Sequence, residues 1–265
     1  PADDYMVGMS IQPHNMQLAL AQNMSSIELQ WNQTIPQQEK GRKFEEKYAQ
    51  LQYMFVGGDI EKLSEVKADR AKESARLKWI AYKDQFFSTV LIADDAFEST
   101  QMESTPLNAL SRYIKEYNTT TSLPLDITGK KTTDLHYYLG PNHYNTLKAY
   151  DKDVEKADRL HLNELVPLGW KIVSWINKAL VIPMFNLFTS WGLHIGIVIL
   201  LMTLVIKLII LPFVFASYKS SAKMRVLKPQ LDEINEKYPP EKMQERQQAT
   251  MALYQKAGVN PMSGC

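Results

Sequence analysis

The residue with the clearest chemical potential is a charge where charges are scarce. Ile195 to Phe215 reads IGIVILLMTLVIKLIILPFVF, and Lys207 is its only ionisable residue. An ammonium in such surroundings offers no covalent chemistry, but it attracts carboxylates, and more strongly where water is thin. Burying it in lipid costs about 2.5–3.5 kcal/mol on insertion scales. Thr203 lies one helical turn earlier on the same face and shares whatever space Lys207 faces. Residues able to do catalytic or metal chemistry are scattered. His136 and His143 are seven apart with no thiol nearby, which is no metal-ligand spacing. Asp94-Asp95 reads as part of a turn. Cys265 is the only cysteine, and there is no GxSxG, HExxH or Gly-rich phosphate loop. The sequence therefore contains no catalytic residue, metal ligand set or cofactor motif, and an enzyme is not expected.

The element that carries Lys207 is a membrane span. Twenty-one residues at 1.5 Å each give about 31 Å, close to the roughly 30 Å hydrocarbon core of a bilayer. The competing reading, a helix buried in a soluble core, usually brings a shorter run with a polar stripe. Lys207 sits eight residues before the cytoplasmic end, about 12 Å deep, while its side chain reaches only ~6 Å. Either it snorkels under strain or it faces a water-filled groove. Charges flanking the span orient it. The 20 residues before His194 hold one basic residue, Lys178; the 13 after Phe215 hold Lys219, Lys223, Arg225 and Lys228 with no acid. Basic residues collect inside, which places residues 1–193 outside the cell membrane and 216–258 in the cytoplasm. An exported N-terminal part implies a signal-anchor helix upstream of Pro1.

Residues 168–192, LGWKIVSWINKALVIPMFNLFTSWG, prepare the entry into the membrane. Ile172, Val173, Ile176, Ala179 and Leu180 recur at helical spacing, opposite Lys171, Ser174, Asn177 and Lys178. Trp170, Trp175 and Trp191 suit the headgroup level, where ring and N–H are both satisfied. This reads as an amphipathic helix lying on the outer surface, or alternatively as a helix closing the external core. Pro183 should end or kink it.

The average composition hides this layout. The 265 residues are 45% hydrophobic and 22% charged, with net charge +1. These values exclude a disordered chain, and one cysteine excludes a disulfide scaffold. Yet residues 1–163 hold 19 basic and 23 acidic groups (net −4), and residues 164–265 hold 11 and 6 (net +5). In the first part, Tyr5-Val7-Met9-Ile11, Ile27-Leu29-Trp31 and Leu135-Tyr137-Leu139 alternate with period two. Leu51-Tyr53-Phe55 and Phe86 to Ile92 are aromatic and β-branched, and turns are expected at 57–59 and 128–130. The pattern predicts an antiparallel β-sandwich over 1–163 with one buried face per sheet. Residues 60–76 read as a charged loop or a short helix.

After the span, Met224, Leu227, Leu231, Ile234 and Tyr238 form a heptad seam. Pro239-Pro240 should turn the chain, and a second helix through Met243, Met251 and Leu253 should end at Gly258. The expected outcome is a mobile antiparallel helical hairpin, 217–257, with eight basic and five acidic residues.

This order of parts resembles the YidC-type membrane protein insertases, relatives of the mitochondrial Oxa and chloroplast Albino proteins. TLVIKLIILPFVFASYKSSAKMRVLKPQL (203–231) is similar to the family's second transmembrane helix and the start of its cytoplasmic helices. MALYQKAGVNPMSGC (251–265) resembles the approach to the third, so 259–265 would begin the next transmembrane segment. LHYYLGPNHYNTLK resembles the end of the large periplasmic β-supersandwich of Gram-negative members. The likeness covers nearly the whole chain and is most specific over 164–265. It implies a Gram-negative-type chain lacking the N-terminal part of its periplasmic domain and most of the five core helices.

The resemblance further implies the following organisation. Residues 1–163 form the periplasmic sandwich, 164–192 the interfacial helix and linker, 193–215 the transmembrane helix and 216–258 the cytoplasmic hairpin. Lys207, where many relatives have Arg, is the positive charge of a hydrophilic groove in the inner membrane. The implied function is helping newly made membrane proteins insert and fold, alone or with the Sec translocon. The basic residues Lys219, Lys223, Arg225 and Lys228 would recruit the ribosome or substrate, and membrane lipids are partners throughout. The rival reading is a single-span periplasmic protein whose sandwich binds a ligand or acts as a scaffold.

Overall fold

A computed structural model describes residues 4–16, 19–238 and 242–258 of the chain. They divide into two compact units, Pro1–Pro167 and Leu168–Cys265.

Among the described residues the first unit holds nine antiparallel strands: β1 Met6–Ile11, β2 Ser26–Pro36, β3 Gln50–Phe55, β4 Ile60–Lys62, β5 Asp69–Glu73, β6 Leu77–Lys83, β7 Phe87–Pro106, β8 Tyr113–Pro124 and β9 Thr133–Pro141. One ladder runs β1-β9-β7-β6-β3-β4. The second runs β5-β7-β8-β2. Strand β7 belongs to both. Its first part pairs with β6 and β9; from Glu98 it pairs with β8 and β5, after a register shift beside Ser99 in the left-handed region (φ 48°). A 20-residue strand with such an irregularity joins two sheets without a loop.

The sandwich expectation holds, with one physical difference. The first sheet is covered on both faces. Its inner face contributes Ile80, Tyr82, Leu91 and Leu135 to the core shared with Met102, Ile114, Tyr117 and Leu123 of the second sheet. Its outer face carries Met54, Trp79, Ala81, Val90, Ile92 and Tyr138. These lie under Leu147 of helix α2 (Tyr144–Ala149) and Leu162 and Leu165 of a 3-10 turn. Burial on both faces explains why residues 79–82 of β6 and 90–93 of β7 are continuously apolar rather than alternating. The Trp79 indole donates to the Leu160 carbonyl at 2.7 Å, tying this cover to the sheet.

Two local expectations are corrected. Residues 60–76 are neither one loop nor a helix: they contain β4 and β5, each at the edge of a ladder, where charged side chains face solvent at little cost. Asp94-Asp95 do not reverse the chain. They lie within β7 where the β6 ladder jumps from Trp79–Ile92 to Leu77–Phe97, and this bulge turns both carboxylates outward. There Asp94 meets His136 at 2.9 Å and Asp95 meets Lys131 at 2.8 Å.

A short helix, α1 (Arg42–Tyr48), follows β2. Its C-terminal carbonyls receive two buried lysines: Lys83 donates to Tyr48 at 3.2 Å and Lys115 to Ala49 at 2.5 Å, Lys115 also reaching the Glu65 carbonyl at 2.8 Å. Both are about 1% exposed, and burial pushes each ammonium down to about 8.

The second unit is helical. Residues 171–190 form one uninterrupted helical run: α3 (Lys171–Ile176), a π-helical turn (Asn177–Val181) and α4 (Ile182–Ser190). Pro183 neither ends this run nor leaves it regular. Its ring has no N–H and crowds the carbonyl four residues back, and the wider π turn just before it accommodates both. Then come α5 (Ile195–Lys237) and α6 (Met243–Lys256).

Candidate functional site around Lys207

Helix α5 has 43 residues, about 64 Å at 1.5 Å per residue, roughly twice a bilayer core. The span and the first arm of the hairpin are thus one helix with no break at 215/216. Its start is capped by His194, whose Nδ1 accepts the Gly196 N–H at 3.3 Å. Two prolines, Pro212 and Pro229, lie inside it. Pro212 brings no N–H, so the Leu208 carbonyl, one residue past Lys207, lacks its usual helical donor.

One face of α5 is occupied. Val198 is buried with Met184 and Phe188 of α4; Leu201, Met202, Val205 and Ile206 pack beside them. Lys207 comes nine residues after Val198. At 3.6 residues per turn that is about two and a half turns, so Lys207 lies on the opposite face, and Thr203 on the same side. Both are exposed, along with Leu200, Leu211 and Val214. Among the described residues Lys207 has no hydrogen bond or ion pair. Thr203 spends its hydroxyl proton within the helix, donating to Ile199 O at 2.8 Å, which leaves its oxygen as an acceptor. The structure thus brings the two predicted residues together on the face of α5 that α4 does not cover. The pairing was legible from their spacing of four. Which face α4 leaves open was not, because that depends on packing between helices.

The tryptophans sit around the preceding helix. Trp170 and Trp175 are each 70% exposed and Trp191 59%. The Phe188 and Trp191 rings approach to 5.3 Å, and Asn177 donates to Leu168 O at 3.0 Å across the start of the helix. By length and composition the run 171–190 is itself long and apolar enough to cross a membrane. Lys171 and Lys178, four and three residues from Trp175, mark its polar side.

In the hairpin the residues facing inward from α5 are Met224, Leu227, Leu231, Ile234 and Tyr238, all half-buried between exposed neighbours. They match the heptad seam. The opposing face of α6 differs from the expectation for Met243 and Met251, which are 61% and 49% exposed. Arg246, Ala249, Thr250, Leu253 and Tyr254 face inward instead, since a helical stripe set by Leu253 passes through 246, 249 and 250 rather than 243 and 251. Gly258 closes α6 at φ 60°, with its N–H on Gln255 O. Lys223 reaches the Gly258 carbonyl at 3.5 Å, which brings the end of α6 back beside α5. Lys219, Lys223, Arg225 and Lys228 are all exposed and outside the seam. The Pro239-Pro240 turn and residues 259–265 lie outside the described residues.

Comparison with known proteins agrees across the chain. Residues 1–183 match the family model described as YidC periplasmic domain, and residues 185–265 the one described as 60Kd inner membrane protein. A "Membrane protein insertase YidC" from Parabacteroides distasonis is 49% identical over 264 residues, covering 99% of this chain and 42% of the relative. The protein of that name from Azobacteroides pseudotrichonymphae is 50% identical over 265 residues, with 99% and 43% covered. The one from Amoebophilus asiaticus is 31% identical over 246 residues, with 92% and 40% covered. The chain therefore spans about two fifths of the length of these relatives.

Proposed function

Because this chain belongs to the YidC family of inner membrane proteins, we propose that it forms the periplasmic and first groove-bearing part of a membrane protein insertase. In this reading residues 1–163 form the periplasmic sandwich, and 164–192 lie at the outer interface, anchored by Trp170, Trp175 and Trp191. Residues 193–215 cross the membrane, 216–258 project into the cytoplasm and 259–265 lead into the next span. The observation that carries the proposal is Lys207, exposed opposite the face that α4 covers and without an ionic partner among the described residues.

The mechanism is electrostatic and non-covalent. An acidic segment of a newly made membrane protein enters a hydrated groove along the Lys207 and Thr203 face. Attraction to the ammonium lowers the cost of moving its carboxylates partway across. The Thr203 oxygen accepts a hydrogen bond there. The substrate's apolar helix then leaves sideways into lipid, where burial of its apolar surface drives the step. An ammonium acts as a point charge rather than a bidentate clamp, so it holds the carboxylate without fixing its orientation and lets it go. The exposed cations Lys219, Lys223, Arg225 and Lys228 supply a positive surface for the ribosome or an emerging substrate. The Sec translocon is a partner for some substrates.

The test uses the full-length protein that contains this chain, supplied to cells depleted of their own. Lys207→Ala should lower insertion of an acidic-tailed substrate about tenfold, the worth of one interaction of about 1.4 kcal/mol. Lys207→Arg should restore it. Equal insertion by wild type and the Ala variant contradicts the electrostatic role.

A further inference from the structure

The sandwich unit has a cavity that the groove mechanism does not use. It lies between α2 and the loop that returns to the 3-10 turn, with a volume of about 470 Å³. That falls within the roughly 300–1,000 Å³ of small-molecule sites. Lys148 and Lys152 line one side, Arg159, His161 and Asn163 the other, and Asp151 lies between. Three permanent cations thus face one carboxylate, in a region, residues 1–163, whose net charge is −4.

The cations are uncommitted. Five cations elsewhere on this unit, Arg42, Lys62, Arg70, Arg76 and Lys131, pair with a carboxylate, and several other surface lysines among the described residues do not. Among the described residues Lys148, Lys152 and Arg159 have no such partner. Lys148 lies 5.9 Å from the Tyr144 ring centre, and Arg159 uses only its Nε, on Val154 O at 3.2 Å. The one lining acid is occupied: Asp151 accepts the N–H groups of Leu160 at 2.7 Å and His161 at 2.9 Å. The neighbouring acids Asp153, Glu155, Asp158 and Glu164 do not line the cavity.

The walls are also fixed in place. The Asp151 bonds clamp the loop, the Trp79 indole holds Leu160 O from below, and Leu147 and Leu162 anchor both sides in the core. His161 keeps a left-handed backbone (φ 49°) within this clamp. The backbone that carries the cations is thus fixed, which limits the reorganisation that binding an anion requires, while the Lys148, Lys152 and Arg159 side chains stay open to solvent.

We propose that this cavity binds a phosphate group, either on the glycerophosphate headgroup of a lipid or as free phosphate. Lysine and arginine contribute charge-assisted hydrogen bonds, with arginine's free guanidinium nitrogens as the planar donor. The cavity is roomy enough for the glycerol next to the phosphate. The inference is independent of the insertase reading and of Lys207.

The test follows the His161 imidazole resonance in the 265-residue chain, held in micelles of a maltoside detergent, whose sugar headgroups carry no phosphate. Inorganic phosphate and glycerophosphate are titrated in, and a parallel sample contains phosphatidylglycerol. A saturable shift with the soluble phosphates alone identifies free phosphate as the occupant. A shift already present with phosphatidylglycerol, and no further change on titration, identifies the headgroup. Either supports the site, provided Lys152→Gln with Arg159→Gln weakens binding at least tenfold while the near-ultraviolet signal of Trp79 is kept. Lys148→Gln alone should weaken it several-fold. No shift with any probe, or the same shift in the double variant, overturns the proposal.

Discussion

Two sets of lysines in this chain meet the same problem, a charge away from bulk water, and the two units answer it differently. In the sandwich, Lys83 and Lys115 are almost completely buried. Lys83 is given the Tyr48 carbonyl and Lys115 those of Ala49 and Glu65, and burial pushes both down to about 8. The protein supplies the solvation itself. In the helical unit Lys207 lies on an apolar helix, opposite the face that α4 covers, with no hydrogen bond or ion pair among the described residues. A lysine satisfied by its own fold stabilises structure and does little else. One left unsatisfied is free to act on something that arrives.

The contrast is open to measurement. The largest effect belongs to the sandwich core: Trp79→Ala should cost about 3–5 kcal/mol in urea unfolding, as it empties the contact between the sheet and its outer cover. Lys207→Ala should leave that unfolding midpoint unchanged. A destabilised sandwich in the second variant would break the distinction between the two kinds of lysine.

Next comes pH. Lys83 and Lys115 bind protons less tightly folded than unfolded, so between about 8 and the ordinary 10.5 the unfolded chain holds more protons. Stability should therefore rise with pH from about 8, by on the order of 2–3 kcal/mol for each lysine. The buried hydroxyls of Tyr82 and Tyr117 are shifted upward, so above about 10 the unfolded chain loses tyrosine protons that the folded chain keeps. The rise should turn over there. Denaturation midpoints measured from pH 7 to 11 would show this maximum, and a flat profile would mean the two lysines are better solvated than their burial suggests.

Replacing one of them sharpens the point. Lys115→Ala removes the donor for the Ala49 and Glu65 carbonyls and should cost about 1–3 kcal/mol. Lys115→Met, which fills the same space without a charge, should cost less. The smallest effect lies in the hairpin, where Lys223→Ala loses the contact with Gly258 at the end of α6. That should cost under about 1 kcal/mol and appear as faster amide exchange over residues 253–258.

How much of this was readable from the sequence depended on how many residues carried each signal. The span around Lys207 was legible because an apolar run of 21 residues matches a bilayer, and the seam from Met224 to Tyr238 because five positions repeat one period. The charged strands β4 and β5 were not. An edge strand has no apolar face to display, so its sequence looks like a loop. The second cover of the first sheet was hidden as well, since a run such as LKWIAYK fits a buried strand or a helix until its two sides are placed. Pro183 reads as an end or a kink, yet it is accommodated within a continuous helical run. Lys207 itself was found from composition, but the freedom of its face appeared only with the packing of α4.

The most direct test couples the two charges. In the full-length protein, insertion is compared for a substrate with an acidic tail and for one with each tail Asp replaced by Asn, in wild type and in Lys207→Ala. The account predicts that the Ala variant slows the acidic substrate about tenfold and leaves the neutral one nearly unchanged. An equal loss for both substrates would show that Lys207 does not act through the substrate's charge.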